Sequence, residues 1–241
     1  MRTLIFCDFD GTATEQDAQQ IIITHFTGDA WRPINDAWTR GEVTTAQRAA
    51  VQWGLVQASA EAVRTLAVEA VTFTPGFRAF ADWCQAEGHR LHLLSDGFDL
   101  YIEPLLAQEG LAHLPRTVNH LSLDGGTPQF QFQHQNPACD RCGNCKQWVL
   151  EQARAAEPDA RIVYLGDGVS DLCPAHVADV VFARRMLLAR CQAAGLPCYP
   201  FDNFDTVRAI LAEPHLLLTA QTVGKVMHGC QVGLTSVHNY C

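Results

Sequence analysis

With 241 residues, 48% hydrophobic and 18% charged, the chain can build one sizeable core, or a core carrying a small inserted domain. Its formal net charge of −9 argues against nucleic acid or an anionic membrane as the main partner. No apolar run is long enough to span a bilayer, and the short N-terminal apolar stretch leads straight into acidic residues, unlike a signal peptide, so a cytoplasmic protein is expected.

In chain order, Thr3 to Cys7 reads as a buried strand that empties into Asp8 and Asp10 of FCDFDGT. Residues i and i+2 of a strand share a face, and two carboxylates there repel and lose solvation. A fold keeps such a pair when a cation or a catalytic cycle uses it. The next stretch, 14–72, has no convincing strand and reads as four helices: Asp17 to Phe26, Trp31 to Arg40, Thr44 to Gln57 and Ala60 to Ala70. Thr44 or Thr45 is the expected cap of the third.

A helix from Pro75-Gly76 to Ala86 then precedes a strand, His89 to Leu94, that runs into Ser95-Asp96-Gly97. After a helix from Tyr101 to Glu109, Val118 to Asp124 and Gln129 to His134 alternate around Gly125-Gly126 as a hairpin. Lys146 opens a helix that ends at Ala156, and the strand Arg161 to Leu165 runs into Gly166-Asp167-Gly168-Val169-Ser170-Asp171. A short strand at Val180 to Phe182 and helices at Met186 to Ala194 and Phe204 to Ala212 complete an α/β pattern with a parallel sheet. The last stretch, 214–241, has one side chain charged irrespective of pH, Lys225, and reads as a tail of unknown role. The sequence carries no signature of a particular oligomeric state.

In an open parallel sheet the carboxyl ends of the strands line one crevice, where ligands bind. Carboxylates, a hydroxyl, glycines and a lysine delivered to that edge make a metal-plus-phosphate site. The order DxDGT, Ser, Lys, GDGxSD, spanning Asp8 to Asp171, resembles the haloacid dehalogenase superfamily of phosphohydrolases. The resemblance implies a Rossmann-like core, 1–13 and 73–213, with an inserted helical cap, 14–72, as in the branch that includes phosphoserine phosphatase. It also implies Asp8 as nucleophile, forming an aspartyl-phosphate, with Asp10 as proton donor and then base. Magnesium would be held by Asp8, the backbone carbonyl of Asp10 and Asp167, with Asp171 behind them. Ser95, Asp96, Gly97 and Lys146 would bind the phosphate. Here Ser-Asp-Gly stands where many relatives have Ser-Gly-Gly, which leaves the role of Asp96 open. Asp17 lies where phosphoserine phosphatases place a substrate-binding acid, although an acid at a helix start also suits the helix dipole. Phe26, Trp31 and Trp38 read either as apolar walls for a substrate tail or as helix-packing residues.

Ten cysteines in a chain of this size, without a secretory signal, read as reduced thiols. Cys7, Cys84, Cys173 and Cys191 read as small core residues. The run CDRCGNCK leaves two readings open. Cys139, Cys142 and Cys145 with His134 have the donor types of a structural zinc site, or the thiols are structural or redox-sensitive. Cysteines just ahead of the lysine resemble the methionine-salvage enolyl-phosphate phosphatases of the 2-hydroxy-3-keto-5-methylthiopentenyl-1-phosphate type. Phe182-Ala183-Arg184 and the Pro200 to Phe204 run support the same resemblance. It implies a magnesium-dependent hydrolase of a small phosphorylated metabolite. Phosphoserine or phosphoethanolamine/phosphocholine phosphatases are the alternatives, and a non-catalytic metal-binding or redox module on the cysteine cluster is the alternative from another class.

Overall fold

The computed structural model describes residues 3–124 and 127–213. The expected turn at Gly125-Gly126 and the 214–241 tail lie outside the described residues. Seven strands form one sheet in the order β4-β3-β2-β1-β5-β6-β7, parallel except for the β3/β4 pair. β1 (Thr3–Cys7) is central, flanked by β2 (Arg90–Phe98) and β5 (Arg161–Gly166). All five β1 residues are buried, as expected of a strand covered on both faces. β3 (Arg116–Ser122) and β4 (Gln129–Gln131) extend the sheet on the β2 side. β6 (Val180–Ala183) and β7 (Tyr199–Pro200) extend it on the β5 side. β7 has only two residues, too few to leave a periodic signal in sequence.

Helices α1 (Ala18–Thr27), α2 (Arg32–Thr39), α3 (Thr45–Gly54) and α4 (Ala60–Ala70) follow β1 in the chain, before the return to β2. Thr44, not Thr45, caps α3, in a reciprocal capping box with Gln47, and Ser59 caps α4. The chain leaves for these helices and returns from them side by side. Thr14 and Phe73 form an isolated bridge, and Glu15 N and Thr74 N bond to Thr72 O and Ala13 O.

The sheet is wrapped by α5 (Phe77–Ala86), α6 (Asp99–Gln108), α7 (Lys146–Ala156), α8 (Leu172–Val177), α9 (Arg185–Ala194) and α10 (Phe204–Ala212). The main core cluster joins one face of the sheet to α1, α3, α4, α5, α6 and α10, with Trp53, Phe77, Phe80 and Phe204 among its largest members. A second cluster packs Phe6, Ile162 and Tyr164 against Leu150 of α7. Cys7, Cys84 and Cys191 are buried free thiols, as expected, whereas Cys173 is disulfide-bonded and corrects that expectation for one residue.

The register positions the site. Cys7 lies level with Leu93 of β2 and Leu165 of β5, so Asp8, Ser95 and Asp167 all emerge at one edge of the sheet. The β2/β3 register shifts between Leu94 and Phe98, where the strand carries Ser95-Asp96-Gly97.

Candidate active site

Asp8 ends the β1 ladder, its N–H donating to Leu165 O at 2.9 Å. Asp10 is not on a continuing strand, as the i/i+2 reading assumed. A wide turn, Phe9–Ala13, is closed by bonds from Ala13 N to Asp8 O and from Thr14 N to Phe9 O. That turn, with Gly11 at φ 77°, brings both carboxylates to the same cavity. A Cβ at Gly11 would collide with the Asp167 carboxylate, so the approach of the two loops requires glycine.

Lys146 starts α7 and is 4% exposed. Its Nζ lies 2.6 Å from Asp8 Oδ1 and 2.6 Å from Asp171 Oδ1, with Ser170 Oγ at 3.4 Å. Burial works against its charge, but Asp171 and Asp8 outweigh it and raise the ammonium pKa. Asp171 is fully buried and filled by donors. Tyr164 Oη shares Oδ1 with Lys146, and the N–H groups of Asp167 and Gly168 donate to Oδ2. A carboxylate so occupied holds its neighbours in place.

Among the described residues, Asp8, Asp167 and Asp171 alone form a group of three ligand atoms within 4.8 Å of one another. Burial, then Asp171, raises the pKa of Asp8 well above the usual carboxylate range and that of Asp167 to about 6. Burial, then Asp17, raises Asp10 to about 7. Hard oxygen donors crowded until they resist ionisation are the donor set that a divalent cation relieves, so the residues present fit magnesium.

Ser95 is buried, its Oγ accepting from Gly97 N at 2.9 Å. Asp96 has a role that the motif did not reveal. Its Oδ1 accepts from Asn144 N at 2.7 Å and from Asn119 Nδ2 at 3.1 Å. Asn144 Nδ2 in turn donates to Ser95 O and Thr117 O. Asp96 and Asn144 thus pin the loop that delivers Lys146 to the ends of β2 and β3. Asn144, two residues before Lys146, carried no motif signal of its own.

The cavity, about 500 Å³, is lined on one side by Asp8, Asp10, Ser95, Asp96, Gly97, Lys146 and Asp167. Residues of α1–α3 and the turn before α1 line the other side, including Asp17, Ile23, Trp31, Trp38 and Arg48. Asp17 caps α1, accepting from Gln20 N at 2.7 Å, and lines the cavity. Trp31 and Trp38 are among the cavity-lining residues. Phe26 is not; it packs on the core, and Ile23 and Met186 take its place.

Arg48 escaped the sequence reading. Its guanidinium lies over Trp38, 3.9 Å from the ring centroid, and its buried Nε finds no hydrogen-bond partner among the described residues. Among the described residues, Arg185 is the non-glycine residue with positive φ, 47°. Its guanidinium binds Gly11 O and Glu15 O and reaches Asp167 Oδ2 at 3.4 Å, offsetting that backbone strain.

The expected zinc set does not assemble. Cys139, Cys142 and Cys145 line one cavity, about 290 Å³, whereas His134 lines a different one beside Arg116 and His120. Among the described residues, neither these cysteines nor His134 belong to a group of three ligand atoms close enough to share an ion.

A family model described as haloacid dehalogenase-like hydrolase matches residues 5–176. A Geobacillus kaustophilus protein named 2-hydroxy-3-keto-5-methylthiopentenyl-1-phosphate phosphatase is 34% identical over 221 residues, covering 86% of this chain and 94% of its own. A Brevibacillus brevis protein of the same name is 30% identical over 218 residues, covering 88% and 96%. A solved phosphoserine phosphatase, a phospho-aspartyl intermediate analogue, aligns with a TM-score of 0.65 over 88% of this chain and 98% of its own. At 19% identity that likeness establishes the fold.

Two measurements follow from the electrostatics. Lys146→Met leaves two buried carboxylates without their cation and should destabilise the protein by about 3–5 kcal/mol in denaturant titration; a loss under about 1 kcal/mol would mean the ion pairs are not sealed from water. The raised pKa values of Asp167 and Asp10 exceed those of the unfolded chain, so the stability they contribute is present in acid and lost as pH rises through about 6 to 7. The Tm of metal-free protein should therefore fall from about pH 5 to about pH 8, less steeply in Asp167→Asn, with magnesium restoring most at the upper end. An identical slope in the variant contradicts this.

Proposed function

This chain belongs to the haloacid dehalogenase-like hydrolases, and from that membership we propose that it is a phosphatase of a small phosphorylated metabolite that works through an aspartyl-phosphate. The observation that carries this reading is the buried Asp8, held at 2.6 Å by Lys146 and sharing a cavity with Asp10 and Ser95. A phosphate monoester repels nucleophiles, so its hydrolysis is chiefly a matter of positioning and charge neutralisation.

Asp8 attacks phosphorus with the carboxylate oxygen that Lys146 does not hold. Ser95 and the amides of Asp96 and Gly97 receive the phosphoryl oxygens, and Lys146 offsets their charge. Asp10 passes its proton to the leaving oxygen as the P–O bond breaks, then takes one from the water that attacks the aspartyl-phosphate. A carboxyl with a pKa near 7 suits both tasks. Asp8, Asp167 and the backbone carbonyl of Asp10 would hold magnesium, with Asp171 behind them, and the ion would supply charge neutralisation and alignment of the phosphate.

In this reading residues 14–72 form a cap on a core of 1–13 and 73–213. The paired segments at Thr14 and Phe73 then serve as its hinge. Closure of α1–α3 over the phosphate would exclude water and bring Asp17 and Arg48 to the leaving group.

For the substrate we propose the 2-hydroxy-3-keto-5-methylthiopentenyl-1-phosphate in the names of the curated relatives, and hence a place in methionine salvage. The wall opposite the acids supports it. Arg48 and Asp17 offer a cationic donor and an acceptor for keto and hydroxyl oxygens, while Ile23, Trp31, Trp38 and Met186 suit a thioether tail. The setting proposed is cytoplasmic; seven cysteines among the described residues are free thiols, although Cys173 is disulfide-bonded.

Asp8→Asn should abolish phosphate release, and acid-quenched wild type should carry phosphate on Asp8, read by mass spectrometry of the peptide. Near-wild-type turnover in Asp8→Asn would sink the mechanism. Across a panel of phosphorylated metabolites, the enolyl phosphate should exceed phosphoserine and phosphoethanolamine. Arg48→Met and Asp17→Asn, the latter keeping the helix cap, should lower kcat/KM on the enolyl phosphate by roughly tenfold or more and hardly alter p-nitrophenyl phosphate. Equal losses on both substrates, or a preference for phosphoserine, would overturn the substrate assignment.

A further inference from the structure

Tyr101 lies on α6, fully buried, and does not line the cavity. Its hydroxyl donates to Asp10 Oδ2 at 2.9 Å, while Asp10 Oδ1 accepts from Ala18 N at 2.8 Å. The two carboxyl oxygens are thus gripped by donors from two separate segments. A buried hydroxyl needs an acceptor in any protein, so this contact alone would be ordinary satisfaction.

Two further observations separate Tyr101 from that case. Gly97, in the proposed phosphate loop, leaves room where any Cβ would collide with the Tyr101 hydroxyl and crowd Asp10 Oδ2. The glycine therefore serves the Tyr101–Asp10 contact as well as the approach of a phosphate. The tyrosine ring is also locked. It stacks on Trp53 of α3, with centroids 6.5 Å apart and planes 13° apart, and Trp53 meets Phe98 edge-on at 5.8 Å. Trp53 is fully buried, so the hydroxyl is held by packing at the seam between α3 and the sheet.

We infer that Tyr101 is a positioning residue that fixes the Asp10 carboxyl in the orientation that reaches the leaving oxygen of a phosphate at Asp8. The inference rests on Asp10 as proton donor. In that step the Asp10 proton moves to the ester oxygen as its bond to phosphorus breaks, Asp10 becomes a carboxylate, and Tyr101 keeps its own proton while donating to Oδ2. A carboxyl released from one of its two holds delivers its proton from a spread of orientations, and misplacements of an ångström cost on the order of a hundredfold in rate.

The test is a leaving-group comparison on Tyr101→Phe, which preserves the ring and removes one oxygen. Alkyl phosphates need the proton to leave, whereas p-nitrophenyl phosphate leaves readily without it. The variant should lose roughly tenfold to a hundredfold in kcat/KM on alkyl phosphates and less than about threefold on p-nitrophenyl phosphate, with Tm nearly unchanged. Equal losses on both, no loss on either, or a larger loss on p-nitrophenyl phosphate would overturn the inference. Should Tyr101→Phe fail to fold, Tyr101→Met carries the same comparison. Wild type that hydrolyses neither substrate, with magnesium present, would refute the phosphatase reading itself.

Discussion

The buried contact of Lys146 with Asp8 and Asp171 is the constraint around which the active-site edge is built. Two carboxylates at 2.6 Å from one ammonium, all sealed from water, attract strongly only because nothing screens them. The same dryness makes any unpaired member expensive, so each must be fixed. Asp171 is therefore filled by Tyr164 and two backbone amides. Lys146 is delivered by a loop that Asn144 and Asp96 fasten to two strand ends. The lysine does not neutralise the cluster alone, since Asp167 and Asp10 retain raised pKa values beside it. That residual burden is what a divalent cation among these carboxylates would relieve.

Close approach of backbones serves the same end. Gly11 lets the turn after β1 lie against the Asp167 carboxylate, and Gly97 lets a tyrosine hydroxyl meet Asp10. Arg185 accepts an unfavourable backbone conformation and sends its guanidinium to both Gly11 O and Glu15 O, tying the β6 edge to the first turn. Asp10, the Ser95-Asp96-Gly97 loop and the helical segment are consequently coupled through short contacts. The large aromatic core beneath, from Trp53 through Phe98 to Phe130, keeps them from drifting.

The cysteine run before Lys146 shows how spacing and geometry part company. Its three thiols do share a cavity, but the nearest histidine in sequence faces elsewhere, because the backbone bond from Cys145 N to His134 O sets the loop while the imidazole turns to another surface. The loop is held instead by Asn144, a residue with no metal chemistry. Its service is to the lysine that follows.

Much was legible in the one-dimensional chain. The acidic and small residues placed just past apolar runs announced a sheet whose strand ends form a site, because a parallel sheet puts all those ends on one edge. Asp8, Asp10, Ser95 and Asp167 were singled out that way, Lys146 only by its order among them, and the four helices before Pro75 were bounded to within a few residues by Thr44, Ser59 and the glycines between them. What could not be read depended on contacts between distant segments. Asp8 and Asp10 converge through a wide turn and not through strand alternation, since the ladder stops at Asp8. Arg48 faces the cavity, Phe26 turns away from it, and Tyr101 reaches Asp10 across 91 positions of chain. Local pattern reports which residues are apolar and which are charged. Which charged or hydroxyl group meets which is settled only when helices pack on the sheet, where burial makes an unpartnered polar atom costly.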